Sequence, residues 1–271
     1  MVLTSSRRSA RIRQVLLRPN TNSQYYQSMR LICGLGSICF ALVCAPLISI
    51  AAPMNEHVIL LHGLCRTSSS MNAMERALTR KGYRVLNVDY PSRTARIVEL
   101  SESVLRPAIH ECNRASAARI HFVGHSLGAI LIRDYLARYE VPNAGHVVML
   151  GPPNQGSEVV DKLGSWWLFK KINGPAGCEL GTNTDSTPNQ IGTPRVPIGI
   201  IAGSRSINWI NSLMIRGTDD GKVSVARTKL AGMADHVVLP IAHPFLMRNK
   251  AAIQQTIYFL REGKFKRTSN S

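Results

Sequence analysis

The pentapeptide Gly124-His125-Ser126-Leu127-Gly128 is the most informative part of this sequence. The apolar run before it, Arg119-Ile120-His121-Phe122-Val123, is typical of a buried strand, and residues 127–136 after it are typical of a helix. A serine on so sharp a strand-to-helix turn projects its hydroxyl above the edge of a sheet, and the glycines leave room for the turn. The N-terminus of the helix favours developing negative charge. The pattern predicts a nucleophile at Ser126.

A plainer interpretation of the pentapeptide exists, because Gly-x-Ser-x-Gly also arises by chance as a glycine-rich turn without catalytic function. The strand before it and the helix after it favour the nucleophile. Catalytic partners elsewhere in the chain are needed to decide between the two.

Strands and helices alternate along the rest of the chain. Apolar runs predict strands at 57–61, 83–88, 119–123, 146–150, 196–202 and 236–239. Helical spacing predicts helices at 70–81, 97–114, 127–136 and 245–260. This alternation predicts an α/β fold with a mostly parallel sheet and helices on both faces. Catalytic groups then collect at the carboxyl ends of the strands, where His62, Ser126 and Gly151 all fall.

A nucleophilic serine needs a base to take its proton and an acid to orient that base. His243 lies in a loop after the last predicted strand and is the predicted base, whereas His236 at the start of that strand is the alternative. Asp220, directly before Gly221, is the predicted acid, with Asp219 bracing the loop. Simple turn chemistry is the plainer interpretation of Asp-Asp-Gly. The chain order of Ser126, Asp220 and His243 favours catalysis.

Two amides are predicted to stabilise the developing oxyanion. One belongs to Leu127, directly after the nucleophile, and the other to Leu64, in the loop after the first strand. Gly63 allows the backbone of that loop to approach closely, and His62 is expected to brace the loop by hydrogen bonds rather than to act as a second base.

Together these residues resemble the bacterial lipases and esterases of the α/β-hydrolase superfamily. The resemblance covers the pentapeptide, His62-Gly63-Leu64, Asp220-Gly221-Lys222-Val223-Ser224 and His243, and runs from about Val58 to the last helix. The stretch 151–157 is similar to a segment of many of these lipases and of related deacylases of lipid anchors. Unlike the larger secreted lipases, the chain has no evident calcium site or long lid.

The resemblance implies an α/β-hydrolase fold and a serine hydrolase that cleaves carboxylic esters through an acyl-enzyme, with no cofactor and no metal. Ser126 would be the nucleophile, Asp220 the acid and His243 the base, with Leu64 and Leu127 as oxyanion donors. An acyltransferase or amidase would use the same triad. A non-catalytic membrane-bound binding protein is a further alternative, against which the intact triad argues.

Substrate choice is expected to reside in a cap-like insertion at about 152–194. Ser157 is predicted to cap a short helix that carries many large apolar residues, among them Trp166 and Trp167. These residues either line an acyl pocket or touch a membrane, or they simply pack the helix onto the sheet. The expected substrate is a small-molecule or lipid ester.

Residues 1–52 differ from the rest, since they contain six arginines and no Asp or Glu, and 31–52 is almost uninterruptedly apolar. A basic flank, an apolar core and small residues at its end predict an export signal and a periplasmic or secreted protein. An inner-membrane anchor is the alternative. Met29 is a candidate start, with 1–28 as an upstream extension, and 53–271 is the predicted hydrolase domain.

The net charge of +17 falls to +11 without those six arginines. The remaining excess is scattered rather than gathered in a stripe with aromatic residues, which argues against a nucleic-acid partner. It favours attraction to anionic surfaces such as lipid headgroups, or simply a solvated basic surface. Beyond residue 52 the cysteines are Cys65, Cys112 and Cys178, so one disulfide could form and one thiol would remain.

Overall fold

The computed structural model describes residues 55–267, and the predicted export signal or anchor in residues 1–52 lies outside them. The strands of this part are β1 (Glu56–Leu61), β2 (Arg84–Val88), β3 (Arg119–His125), β4 (Ala144–Leu150), β5 (Ile198–Gly203) and β6 (Asp235–Leu239). They form one sheet in the order β2-β1-β3-β4-β5-β6, and all neighbouring pairs are parallel. The predicted parallel sheet is confirmed.

The helices of the described residues alternate with these strands. They are α1 (Asn72–Thr79), α2 (Ile97–Arg114), α3 (Leu127–Arg138), α4 (Glu158–Leu163), α5 (Trp167–Cys178), α6 (Thr187–Gln190), α7 (Trp209–Met214), α8 (Val225–Thr228) and α9 (Lys250–Glu262). None of the helices within 55–267 is both long and apolar enough to cross a membrane.

The core has one layer on each face of the sheet. Successive residues of a strand point to opposite faces, and β1 illustrates the consequence. Ile59 and Leu61 pack in a buried cluster with α2 and α3, whereas Val58 and Leu60 pack in a second cluster with α1 and α9. Because both faces of the four central strands, β1, β3, β4 and β5, are covered, these strands are mostly apolar, which made them recognisable in the sequence.

The closing helix differs from its predicted extent of 245–260. A 3₁₀ turn over His243–Arg248 comes first, and α9 begins only at Lys250. Asn249 separates the two, because its Oδ1 accepts a hydrogen bond from the amide of Ala251 at 2.9 Å and so caps α9. His243 therefore opens a tight turn directly after β6 instead of preceding one long helix.

Ser157 occupies the predicted N-cap position, but its side chain does not cap the helix, and the prediction of a single helix through the tryptophans is wrong. Ser157 precedes α4, but its Oγ donates to the carbonyl of Lys222 at 2.7 Å instead of capping the helix. Helix α4 ends at Leu163, where Gly164 follows, and α5 begins anew at Trp167. The insertion between β4 and β5 is thus built from short helices.

Two buried or partly buried charges tie this insertion to the main body. The guanidinium of Arg133, on α3, donates to the carbonyls of Asn154 at 3.0 Å, of Gly192 at 3.1 Å and of Ile191. Burial lowers the pKa of Arg133 to about 10. Glu179 accepts hydrogen bonds from the amide of Ile97 at 3.0 Å, where its charge faces the N-terminus of α2.

Candidate active site

Ser126 lies at the junction of β3 and α3, at the carboxyl edge of the sheet. Its backbone is held at φ 53° and ψ −119°, a conformation that L-residues rarely adopt, and its amide donates to the carbonyl of Leu150 at 2.9 Å. A side chain at Gly128 would bring its Cβ to 2.5 Å from the carbonyl oxygen of His62. The glycine therefore lets α3 pack directly on the end of β1, and this contact sets the sharp turn that presents the serine.

Asp220 and His243 form a buried pair on the next loops along the same edge. His243 Nδ1 lies 2.7 Å from Asp220 Oδ2, and the amide of His243 donates to the carbonyl of Asp220 at 2.9 Å. The other carboxylate oxygen, Oδ1, accepts from the amides of Lys222 at 3.0 Å and Val223 at 2.9 Å. With every oxygen engaged, the carboxylate is fixed as the acceptor, so the Nδ1 proton belongs to His243 and Nε2 is left free to take a proton.

The alternative base, His236, lies elsewhere. It is at the start of β6, paired in register with Ile200, and its Nε2 is hydrogen-bonded to the Thr228 hydroxyl oxygen at 3.0 Å. The structure therefore brings Asp220 together with His243 and not with His236.

Asp219 and Asp161 make structural contacts instead. Asp219 Oδ1 accepts from the amide of Gly221 at 2.7 Å and from the Ser212 hydroxyl at 2.8 Å, which braces the loop that carries Asp220. Asp161 binds the amide and hydroxyl of Thr182. Neither carboxylate contacts a histidine.

The two predicted oxyanion donors flank Ser126. Leu127 is the first residue of α3, so its amide has no partner within the helix, and Leu64 lies in the loop after β1. A Cβ at Gly63 would stand 3.2 Å from the Cβ of Ser126 and 2.7 Å from His125 Nδ1. The loop backbone thus packs against the turn that carries Ser126, as a donor to an oxyanion at this residue would require.

His62 makes the bracing hydrogen bonds expected of it. Its Nδ1 donates to the carbonyl of Gly63 at 2.9 Å, and its Nε2 accepts from the amide of Tyr90 at 3.3 Å. Its ring stacks on Tyr90 with centroids 4.1 Å apart, and the Tyr90 hydroxyl donates to the His62 carbonyl at 2.6 Å. Burial lowers the pKa of His62, so the ring stays neutral and holds the loop.

His125 is a residue of the site that the sequence reasoning missed. Its Nε2 donates to the backbone carbonyl of His243 at 3.1 Å, and the centroids of the two rings are 4.8 Å apart. Burial, followed by the proximity of His243, lowers the pKa of His125 well below its usual range. The sequence offers one signal for His125, which is its position. It is a polar residue directly before Ser126, at the end of a strand that is buried on both faces.

A cavity of about 480 Å³ opens beside Ser126 and His243. Its wall is mostly apolar and includes Leu64, Val159, Val160, Phe169, Ile172, Leu180 and Val223. Arg66 and Lys222 also line it. A wall of this kind accommodates a hydrocarbon chain next to a small polar reaction centre.

Within residues 55–267, no three His, Cys, Asp or Glu side chains are grouped as metal ligands would be. Cys65, Cys112 and Cys178 are all free thiols, and Cys112 is buried. Burial raises the pKa of the Cys112 thiol to about 12, which keeps it protonated.

The sequence matches the model of the alpha/beta hydrolase family over residues 58–244, which is more than half of the chain. The protein belongs to this family. No match was found among curated proteins.

Solved structures with a similar fold include hydrolases of lipids and esters. The mature form of the Bacillus licheniformis lipase BlEst2 is 18% identical with a TM-score of 0.62, and the match covers 76% of this chain and 91% of the lipase. Phospholipase PlaB from Legionella pneumophila is 17% identical with a TM-score of 0.56, and the match covers 76% of this chain and 59% of the phospholipase. The metagenomic carboxyl esterase MGS0156 is 16% identical with a TM-score of 0.54, and the match covers 70% of this chain and 64% of the esterase. The chain thus spans less than two thirds of the last two proteins, and at these identities the likeness is one of fold.

Proposed function

We propose that this protein is a carboxylic ester hydrolase that works through an acyl-enzyme on Ser126. One observation carries the proposal: the buried His243–Asp220 hydrogen bond of 2.7 Å faces the same cavity as a serine held in strained backbone. The similarity of the fold to a lipase, a phospholipase and a carboxyl esterase supports the same class of reaction.

In the proposed mechanism the Ser126 hydroxyl attacks the ester carbonyl while His243 Nε2 takes its proton. Asp220 holds the Nδ1 proton and stabilises the imidazolium that forms. The amides of Leu64 and Leu127 stabilise the oxyanion. His243 then returns the proton to the departing alcohol, and a water molecule activated by the same histidine releases the acid from Ser126.

The apolar wall of the cavity supports esters with a hydrocarbon acyl chain. Val159, Val160 and Phe169 reach it from the insertion, so the insertion would set the accepted chain length. A lipid ester or a small ester of a fatty acid fits this wall better than a polar acyl group would.

A fluorophosphonate probe tests the nucleophile, because it reacts with activated serines. We expect labelling of the wild type and none of Ser126→Ala. Ser204→Ala is the matched control, since Ser204 follows β5 at the same sheet edge without lining the cavity, and it should label normally. Labelling that persists in Ser126→Ala would overturn the assignment of the nucleophile.

A kinetic series tests the class of reaction. Turnover of p-nitrophenyl esters should rise from acetyl to medium-length acyl chains and should fall by about three to four orders of magnitude in Asp220→Asn. Added alcohol should not divert the acyl group. Ester formation with that alcohol as the main product would make the protein an acyltransferase instead.

We also propose that the protein is exported, on the basis of the basic and apolar sequence of residues 1–52. Terminal sequencing of the protein recovered from the periplasm or medium would give a mature N-terminus near residue 53. An intact N-terminus recovered with the inner membrane would support the anchored alternative.

A further inference from the structure

All three tryptophans of the chain are exposed. Trp166 is 63% exposed, and Trp167 and Trp209 are each 72% exposed. Tryptophan is buried on average in soluble proteins, and exposing an indole to water forgoes a large apolar contribution to stability. We therefore infer that the three indole rings are covered when the protein binds another molecule or surface.

The tryptophans belong to two segments beside the cavity, and we term the exposed apolar side chains of 166–172 and 207–213 the apolar rim. Of the ten large apolar side chains exposed in residues 55–267, eight lie in these two segments. Ile172 and Ile207, one from each segment, line the cavity beside Ser126. Two segments distant in sequence thus meet at the mouth of the same cavity. Soluble proteins seldom expose so concentrated a patch without a function.

The charges around the apolar rim are almost all positive. Exposed basic side chains flank it at Lys162, Lys170, Lys171, Arg205 and Arg216. Within the described residues none of the five lies within ion-pair distance of a carboxylate. The one acidic residue in 161–172 and 204–216 is Asp161, which is engaged by Thr182.

We propose that the apolar rim docks the protein on the surface of an anionic lipid bilayer. Indole rings favour the interfacial layer of a membrane, and lysine and arginine beside them bind anionic headgroups. Self-association is disfavoured, because a two-fold contact through this surface would bring two such basic clusters together. When the protein is docked in this way, the mouth of the cavity faces the lipid, so an ester reaches Ser126 without crossing water. This last point rests on the proposed function.

Intrinsic fluorescence tests the docking directly, since every tryptophan of the chain lies in the apolar rim. The full chain with Ser126→Ala is mixed with phosphatidylglycerol vesicles that carry brominated acyl chains. We expect a blue shift, quenching by bromine and protection from iodide. Phosphatidylcholine vesicles should bind at least about tenfold more weakly, and added salt should weaken binding to phosphatidylglycerol.

Two results would overturn the proposal. In the first, the protein sediments with vesicles while its tryptophan emission and iodide quenching stay unchanged, which places attachment elsewhere, for example in residues 31–52. In the second, the emission is already blue-shifted and protected from iodide without lipid. A dimeric mass would then identify a second copy as the cover, and a monomeric mass a segment of the same chain.

Matched variants keep all three tryptophans as reporters. Ile210→Ser/Leu213→Ser removes two apolar side chains of the rim, which are 56% and 77% exposed. Val98→Ser/Val238→Ser removes the two exposed large apolar side chains that lie outside it. In the Ser126→Ala background the first pair should lower partitioning into vesicles at least about tenfold, and the second should leave it unchanged. Equal partitioning of the two variants would refute docking by the rim. The result is independent of hydrolysis, so it stands or falls separately from the proposed function.

Discussion

His243 is held at two points, and the second one comes from the residue directly before the serine. Asp220 binds the imidazole at Nδ1, while His125 binds the backbone carbonyl of the same residue. A ring fixed at both its side chain and its main chain loses little freedom when it takes a proton. We therefore regard His125 as a positioning residue that sets the distance from His243 to Ser126.

Replacing His125 with Phe keeps a planar ring but removes the Nε2 donor. We expect kcat to fall by about 10²-fold with little change in KM, because a small displacement of the base weakens catalysis more than binding. Steady-state kinetics with a soluble p-nitrophenyl ester measures both constants.

A Gln at this position retains an N–H donor and should recover part of the lost kcat. His236→Phe is the control, since His236 lies outside the cavity, and its kcat should match the wild type. If His125→Gln and His125→Phe lost activity equally while the melting temperature was unchanged, the hydrogen bond to His243 would have no role in positioning.

The residues of the predicted triad could be proposed from the sequence because their chemistry restricts them to few places. A glycine-flanked serine between strand and helix, an Asp before a glycine and a histidine after the last strand follow from local patterns and chain order. The role of His125 could not be found in this way, because its partner is a backbone carbonyl 118 positions away. Because every residue has a backbone carbonyl, the sequence does not indicate which carbonyl accepts a hydrogen bond.

At the scale of elements, the helix that begins after Ser126 depends on Gly128. A Cβ there would lie 2.5 Å from the His62 carbonyl oxygen and 2.6 Å from that of Leu61, both rigid backbone atoms at the end of β1. Gly128→Ala should therefore lower the free energy of unfolding by about 2 kcal/mol or more and reduce fluorophosphonate labelling. Chemical denaturation measures the first effect.

Gly192→Ala is the matched control for this substitution. A Cβ at Gly192 would find only the Cβ of Ala137, at 3.8 Å, so the variant should unfold within about 0.5 kcal/mol of the wild type. Similar losses in both variants would mean that glycine acts through chain flexibility in general and that the contact with β1 is unimportant.

The strands were predictable as elements, whereas the short helices of the insertion were not. Strands covered on both faces are mostly apolar, and α2 was placed at its observed bounds because its apolar residues recur at helical spacing over many turns. Short helices end where local contacts intervene, and α4 ends in this way at Gly164. For α7 the apolar residues are of the kind expected in a core, and only the tertiary structure places them outward.

At the scale of the whole molecule, several histidines are buried in their neutral form. Burial lowers the pKa of His121 to about 4, against the opposing effect of Glu56, and lowers those of His57, His62, His125 and His236 as well. Between about pH 6.5 and the lowered pKa of each group, the unfolded chain binds more protons than the folded one. The protein should therefore lose stability as the pH falls through this range.

Urea denaturation at pH 7.5 and at pH 5 measures this loss. Each fully titrating histidine can contribute up to about 1.4 kcal/mol per pH unit. His121→Gln should make the dependence shallower, and the control His110→Gln, an exposed position on α2, should leave it unchanged. If the free energy of unfolding were the same at pH 7.5 and at pH 5, these histidine rings would not be buried in the neutral form.

Arg133 fixes the two ends of the insertion and so indicates where the insertion could be replaced. It lies about two turns after Ser126 on α3. Its guanidinium donates hydrogen bonds to backbone carbonyls at both ends of the insertion, at Asn154 and at Ile191 and Gly192. We expect the segment between these points to tolerate changes in length, provided that the three carbonyls return to the same positions and that a carboxylate still meets the amide of Ile97 as Glu179 does. A designer who wishes to graft a different insertion onto this sheet has the two splice points already marked.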